Sequence, residues 1–224
     1  MVHLREMDYA DIEAVSTIRV RGWQAACAGI VPQTYLDAMT VEGDAGQRRQ
    51  WSSQPERKSR DLVALGDRRP VGWICFGPHR GEILSLERVG EVHALYISPD
   101  LIGQGIGRTL LGEAHAQMKG QGFETSALWV LYDNQRARRF YERAGDKADG
   151  AAQDDVYDGI TLTELRYQRV LLQGPACRFG LTATGQPSTI RSMLDHRGLS
   201  GLSGQEQECT RAPRWKRFQA ARRQ

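Results

Sequence analysis

Three glycines at alternate positions, Gly103, Gly105 and Gly107, constrain this chain more than any other feature of its sequence. They follow a β-rich run at residues 92–98 and precede apolar residues at helical spacing, which continue to Gly120. A strand, a glycine loop and a helix in this order point backbone N–H groups at an anion, beside the positive end of the helix dipole. We therefore expect this loop to bind phosphate, although such a loop taken alone is also compatible with a tight turn.

Two familiar phosphate-binding motifs do not match the loop. A dinucleotide fingerprint requires its third glycine three residues after the second, where this chain has Arg108. A nucleotide P-loop requires Gly-Lys followed by Ser or Thr, and this sequence has no such tripeptide. The spacing therefore favours neither NAD nor ATP as the ligand.

Extended and helical patterns alternate along the first 170 residues. The predicted order is β, α, α, β, β, β, α, β, α, β, which indicates a mixed α/β fold. The predicted strands are residues 2–5, 61–65, 71–76, 92–98, 126–131 and 160–170, with an optional further strand near 147–152. The predicted helices begin near Ile12, after Pro32, at the glycine loop and after Asn134.

Charge and composition divide the chain at about residue 173. Its 224 residues suit one domain with an appendage. From residue 174 onward there are nine Arg or Lys residues against three Asp or Glu, a net charge of +6, which leaves −3 on the first 173 residues. We expect a domain at 1–172 and a basic, disordered tail at 173–224, with a short amphipathic helix at 213–224 as the alternative.

Several classes of protein are not favoured by the sequence. No apolar stretch reaches membrane-spanning length, and the first residues lack the apolar core of a secretory signal. The four cysteines are widely spaced without a C-x-x-C pair, which favours neither a zinc ribbon nor a disulfide framework. We expect a cytoplasmic protein with reduced thiols, no membrane contact and no metal.

Two separate segments resemble the GCN5-related N-acetyltransferase (GNAT) superfamily. Residues 95–111, which contain the glycine loop, are similar to its acetyl-CoA motif. Residues 134–145 are similar to its second motif, N-x-x-A-x-x-F-Y-E-x-x-G. Two positions depart from the pattern, because Ile102 stands where the family has Arg or Gln, and Asp146 stands where it usually has Phe. The resemblance covers about residues 1–170.

This resemblance implies a fold and a coenzyme site. The implied fold is a mixed, mostly antiparallel sheet of six or seven strands flanked by helices. Backbone groups of Leu95, Tyr96 and Ile97 would pair with the pantetheine arm of acetyl-CoA and hold the thioester carbonyl. Asn134 would contact the coenzyme near its acyl end. The pyrophosphate would be held by amides of the loop, namely those of Gly103, Gln104, Gly105, Ile106, Gly107 and Arg108.

The resemblance also assigns proton chemistry. Tyr141 would be the general acid that protonates the departing thiolate, although a core tyrosine on an apolar helix face is the alternative. An alkylamine is mostly protonated at neutral pH, so a base is needed as well. Glu91 and His93 are two residues apart on a predicted strand and therefore share a face. Either could act directly or through water, and otherwise Glu91 is a solvated strand end and His93 a core residue.

Together these features predict an N-acetyltransferase that moves an acetyl group from acetyl-CoA to a primary amine by direct attack in a ternary complex. The acceptor would be a small-molecule amine or a protein amine, and a homodimer is an option common among similar proteins. One alternative is a non-catalytic acyl-CoA-binding module. Another is acetylation of an RNA-linked or ribosomal acceptor, with nucleic acid contacted only through the basic tail.

Overall fold

A computed structural model describes residues 2–80 and 88–171 of the chain. The strands are β1 (His3–Glu6), β2 (Arg60–Gly66), β3 (Arg69–Pro78), β4 (Val89–Ile97), β5 (Thr125–Leu131), β6 (Lys147–Tyr157) and β7 (Ile160–Val170). The helices are α1 (Ile12–Ala26), α2 (Gln33–Asp37), α3 (Val41–Ser52), α4 (Ile106–Gly120) and α5 (Gln135–Ala144). The tail predicted at 173–224 lies outside the described residues.

Seven strands form one sheet in the order β1-β2-β3-β4-β5-β7-β6. The β4–β5 pair is parallel, and the other five neighbouring pairs are antiparallel. Short turns join β2 to β3 and β6 to β7, whereas β4 and β5 are joined through α4, as a parallel pair requires. The predicted mixed, mostly antiparallel sheet flanked by helices is therefore confirmed, and β6 is its seventh strand.

Helix α3 is the element that the sequence patterns did not predict. Only Ala45 and Arg48 of its residues are buried, so it shows no apolar stripe at helical spacing. Its ends and charges stabilise it instead. Thr40 caps the first turn by accepting a hydrogen bond from the amide of Gly43 at 3.1 Å, and Arg48 pairs with Asp44 four residues earlier at 3.1 Å.

The two faces of the sheet bury different sets of side chains. On one face, α4 and α5 cover a cluster that includes Leu62, Ile74, Leu110 and Tyr167. On the other face, α1 packs on a smaller cluster built from Val15, Val63, Trp73 and Cys75. Successive residues of β2 and β3 alternate between these clusters, as the two-residue period of a strand requires. Strands β2 and β3 are thus buried on both faces, whereas β6 is largely exposed.

In the described part of the chain, none of the helices combines the length and the apolar character needed to cross a membrane. Cys27 and Cys75 are buried free thiols. The other two cysteines lie outside the described residues.

Replacement of Leu110 by Ala should remove about 2–5 kcal/mol of unfolding free energy, because the fully buried side chain leaves a cavity between α4 and the sheet. Ile160→Ala is the matched control, since Ile160 is 53% exposed and its loss should cost about 1 kcal/mol or less. Urea unfolding measures both. Similar losses in the two variants would contradict this account of the core.

Candidate active site

A wedge-shaped gap opens between β4 and β5. Their parallel pairing runs from Val89 opposite Thr125 only as far as Val92 opposite Leu128. Strand β4 nevertheless continues to Ile97 in its pairing with β3, and β5 continues to Leu131 in its pairing with β7. Residues 93–97 of β4 therefore expose one edge of their backbone to the gap without a strand partner among the described residues.

An extra residue in β4 accompanies the start of this gap. Cys75 of β3 stands opposite Ala94, whereas the next residue, Phe76, stands opposite Val92. His93 is thus the additional residue of a β-bulge, a feature that bends a strand and increases its local twist. The bulge lies where β4 leaves β5, so the loss of parallel pairing has a local cause in the sequence register.

The glycine loop follows β4 after one short helical turn at Pro99–Leu101. Gly103 and Gly105 have φ angles of +93° and +85°, and a Cβ at either position would meet no atom within 4 Å. Thr109 is the first residue of α4 whose amide bonds back along the chain, to the carbonyl of Gly105 at 3.1 Å. The amides of residues 106–108 are therefore free of intrahelical partners and point out of the helix, as an anion site requires.

Helix α5 places Tyr141 beside the core. The half-buried ring packs edge-on against Phe140, with centroids 5.1 Å apart, and lies 6.4 Å from the ring of Tyr167. Burial raises the pKa of Tyr141, and the nearby Tyr96 and Asp146 raise it further. The phenol therefore keeps its proton at neutral pH and can serve as a donor.

Asn134 begins the same helix. Its side-chain oxygen accepts a hydrogen bond from the amide of Ala137 at 3.0 Å, the usual arrangement of a helix N-cap. The oxygen is thus engaged in capping, and the NH₂ group is the part of this side chain that is suited to a ligand.

Tyr96 is fixed on the opposite side of the sheet from α4. Its ring stacks on Trp73 with the planes 9° apart, and a Cβ at Gly22 of α1 would lie only 2.9 Å from the Tyr96 ring. Burial raises the pKa of Tyr96. This packing leaves the backbone of Tyr96, rather than its side chain, at the edge of the gap.

Glu91 is a buried and fully engaged carboxylate. It accepts hydrogen bonds from the backbone amide of Arg80 at 3.0 Å and from the Nε of Arg80 at 2.9 Å, while the Nδ1 of His79 lies 3.1 Å away. Burial alone would raise the pKa of Glu91, but the nearby imidazole of His79 and the charge of Arg80 outweigh burial and lower it to about 2. The side chain is therefore ionised at any physiological pH.

His93 shares this face of β4 and interacts electrostatically with Glu91. Its Nε2 lies 3.3 Å from the carbonyl oxygen of Pro78, and its Nδ1 lies 3.8 Å from the Sγ of Cys75. Burial lowers the pKa of His93 to about 4, with a further contribution from Arg80. The imidazole is therefore neutral at pH 7.

His79 and Arg80 were not singled out from the sequence, yet they surround Glu91. Spacing along one strand gave no signal for them, because both lie just after β3, which ends at Pro78 opposite Gly90. The described residues contain no group of three or more His, Cys, Asp or Glu side chains placed to hold a metal ion.

An aromatic cluster lies on the α1 face near the end of the sheet. Trp23 and Tyr35 contact Tyr157 from the β6–β7 hairpin, with ring centroids 5.9 and 5.2 Å away. The hydroxyl of Thr34 in α2 donates to the carboxylate of Asp158 at the hairpin tip at 2.9 Å. Residues 29–33 and Ile160 line an open cavity of about 440 Å³ beside this contact.

The model of the acetyltransferase (GNAT) family matches residues 23–146, more than half of the chain. This match spans the gap, the glycine loop and α5. The chain belongs to the GNAT family and is an acyltransferase.

Curated relatives carry the same class of name. The chain is 29% identical over 139 residues to the uncharacterized N-acetyltransferase YuaI of Bacillus subtilis, covering 60% of this chain and 74% of that protein. It is 24% identical over 151 residues to the spermidine N(1)-acetyltransferase of Thermoplasma acidophilum, covering 66% of this chain and 89% of that protein. Against the mycothiol acetyltransferase of Streptomyces coelicolor, 32% identity extends over 42% of this chain and 35% of the relative.

Solved structures share the fold. The PaiA N-acetyltransferase of Thermoplasma acidophilum in complex with coenzyme A superimposes with a TM-score of 0.58 at 22% identity, covering 76% of this chain and 99% of that one. YncA of Salmonella typhimurium with its cofactor acetyl-CoA gives a TM-score of 0.58 at 19% identity, covering 79% of this chain and 97% of that one. At these identities the likeness concerns the fold alone.

Replacement of Glu91 by Gln should lower the unfolding free energy by about 2–3 kcal/mol at pH 7. The folded pKa lies below the ordinary value of a glutamate, so the carboxylate stabilises the protein at neutral pH. This contribution is lost as the pH falls through the ordinary value toward 2, and the two proteins should converge there. Unfolding by urea at several pH values measures the difference.

Glu56→Gln is the control for this prediction, because Glu56 is exposed. It should change stability by about 0.5 kcal/mol or less at every pH. A constant deficit of Glu91→Gln from pH 7 to pH 3 would show that the charge of Glu91 is not what stabilises the fold.

Proposed function

We propose that this protein transfers an acetyl group from acetyl-CoA to a primary amine by direct attack in a ternary complex. The observation that carries the proposal is the gap between β4 and β5, which opens immediately before the glycine loop. A ligand with an extended arm that ends in a pyrophosphate fits the gap and the glycine loop together. Backbone groups line the gap, and free amides follow at the start of α4.

The residues present fit this coenzyme. The amides of residues 103–108 would hold the pyrophosphate, and the open space at Gly103 and Gly105 allows close approach of an anion. The exposed backbone edge of Leu95, Tyr96 and Ile97 would pair with the pantetheine arm. The NH₂ group of Asn134 would contact the coenzyme toward its acyl end.

Bound acetyl-CoA would supply an activated acetyl group as a thioester. Backbone N–H groups at the edge of β4 are placed to stabilise negative charge on a carbonyl oxygen in the gap. Tyr141 would give its proton to the departing sulfur. Its raised pKa keeps the hydroxyl protonated at neutral pH, so the proton is available when negative charge develops on the leaving sulfur.

The incoming ammonium must lose a proton before attack. Glu91 and His93 are both unprotonated at neutral pH and lie on one face of β4. We propose that one of the two accepts this proton, either directly or through water. Because the pKa values of both groups lie below 7, neither retains the proton at neutral pH.

A cationic amine is the acceptor that the surroundings favour. The half of the β6–β7 hairpin nearest its tip, residues 153–164, contains four acidic side chains and no basic one, namely Asp154, Asp155, Asp158 and Glu164. The tip of this hairpin contacts α2 next to the open cavity. The relative from Thermoplasma acidophilum is named for acetylation of spermidine, a cation, which supports the same choice.

Acetyl-CoA at 100 times its dissociation constant should stabilise the protein by about 2.7 kcal/mol, seen as a higher thermal midpoint, whereas NAD and ATP should not. Gly105→Val should reduce the stabilisation, because a β-branched residue at φ +85° forces the loop to rearrange. Gly122→Val is the matched control, since Gly122 has φ +88° in equally open space at the far end of α4. An equal effect of NAD, or equal loss in the control, would contradict the assigned site.

Tyr141→Phe should lower kcat by about 10²- to 10⁴-fold while leaving the stabilisation by acetyl-CoA unchanged, because only proton donation is removed. Turnover is measured by thiol release with polyamines, simple alkylamines and a lysine peptide as acceptors. Tyr9→Phe, at a 69% exposed position, is the control and should retain wild-type kcat. Coenzyme binding without acetylation of any acceptor would instead identify a non-catalytic acyl-CoA-binding module.

A further inference from the structure

The end of α5 joins Tyr141 to Asp146. Gly145 has φ +98°, and its amide bonds to the carbonyl of Glu142 at 3.0 Å. The amide of Asp146 bonds to the carbonyl of Tyr141, also at 3.0 Å. These two bonds define a Schellman motif, in which the side chains at the positions of Asp146 and Tyr141 usually make an apolar contact. A carboxyl group therefore occupies a place that normally takes a hydrophobic side chain.

The Asp146 carboxyl is buried without compensation. The residue is 1% exposed, and neither carboxyl oxygen has a hydrogen-bond partner among the described residues. His115 of α4 is also buried, and its unpartnered Nε2 lies 3.9 Å from the nearer carboxyl oxygen, beyond hydrogen-bond range. A buried polar pair of this kind is costly and calls for an explanation.

Few charges face this carboxyl from the elements packed around it. Arg169 of β7 is the cationic one, and its guanidinium donates to the carbonyl oxygen of Ala144. His115 of α4 is neutral at physiological pH, because burial and Arg169 lower its pKa to about 4. On α5, the titratable group that interacts with the carboxyl is the Tyr141 phenol. Burial raises the pKa of Asp146 to about 6, against a smaller opposing effect of Arg169.

We propose that Asp146 is a positioning residue whose buried carboxyl, held next to Tyr141 by the helix-end motif, sets how readily the Tyr141 hydroxyl gives up its proton. The inference rests on the proposed function. In that reaction a C–N bond forms, the C–S bond breaks, and the electron pair left on sulfur takes the Tyr141 proton. A negative charge that interacts with the phenol retains that proton, whereas a neutral carboxyl does not.

The consequence is a pH-dependent restraint on the acid step. Below about pH 6 the carboxyl is protonated, and donation by Tyr141 is unhindered. Above that pH the carboxylate charge opposes the step. Deprotonation of the amine has its own pH dependence, which is the same for wild type and variant, so the ratio of their kcat values isolates the effect of Asp146.

The experiment compares Asp146→Asn with wild type from pH 5 to pH 8, using saturating acetyl-CoA and the best amine acceptor. The ratio of variant to wild-type kcat should be near one at pH 5 and rise about three- to tenfold by pH 8, with its midpoint near 6. The uncharged variant Asp146→Leu should give the same curve and replaces Asn if that variant folds poorly. Asp67→Asn, in the exposed β2–β3 turn, should give a flat ratio.

A double-mutant cycle separates this role from a structural one. In the Tyr141→Phe background, introducing Asp146→Asn should give a flat ratio, because no tyrosine proton remains to be tuned. A flat ratio in the wild-type background, with normal stabilisation by acetyl-CoA, would overturn the inference and leave the proposed function intact. No turnover by the wild type with any amine would remove the proposed function and this inference with it.

Discussion

The separation of β4 from β5 is the constraint on which the rest of the site depends. Backbone groups of a strand normally satisfy one another across the sheet, and an unpaired edge inside a protein is costly. Here the edge of β4 is left open by one additional residue, His93, at the point where parallel pairing stops. The glycine loop and the start of α4 then continue the same line of unpaired amides. A single register change thus gives the molecule an extended row of donors.

The two buried carboxyl groups, those of Glu91 and Asp146, have opposite electrostatic environments. Glu91 has an arginine and a histidine around it, which keeps its carboxylate ionised well below neutral pH. The carboxyl of Asp146 has no hydrogen-bond partner in the described chain, and burial moves its pKa toward neutrality. Two carboxyl groups in one domain therefore differ by about four pH units in where they titrate. The difference follows from the number of donors around each, since both are almost fully buried.

The sequence predicted the fold wherever local patterns and tertiary packing agree. The α4 and α5 helices were identifiable because apolar spacing, the Asn134 cap and the Gly145 stop all indicate the same bounds. Helix α3 was not identifiable from the sequence, because charge pairs rather than an apolar stripe stabilise it. The roles of Tyr141, Glu91 and His93 remain predictions. The partners of Glu91 could not be found from spacing, since His79 and Arg80 reach it across a hairpin rather than along one strand.

The contact of Tyr157 with Trp23 and Tyr35 connects the last hairpin of the domain to its first two helices. More than 120 residues separate these partners in the chain, so loop closure makes the contact one of the slowest to form. During synthesis, α1 and α2 emerge long before the hairpin that covers them. A growing chain therefore leaves the rings of Trp23 and Tyr35 without their Tyr157 partner until the last hairpin has been made.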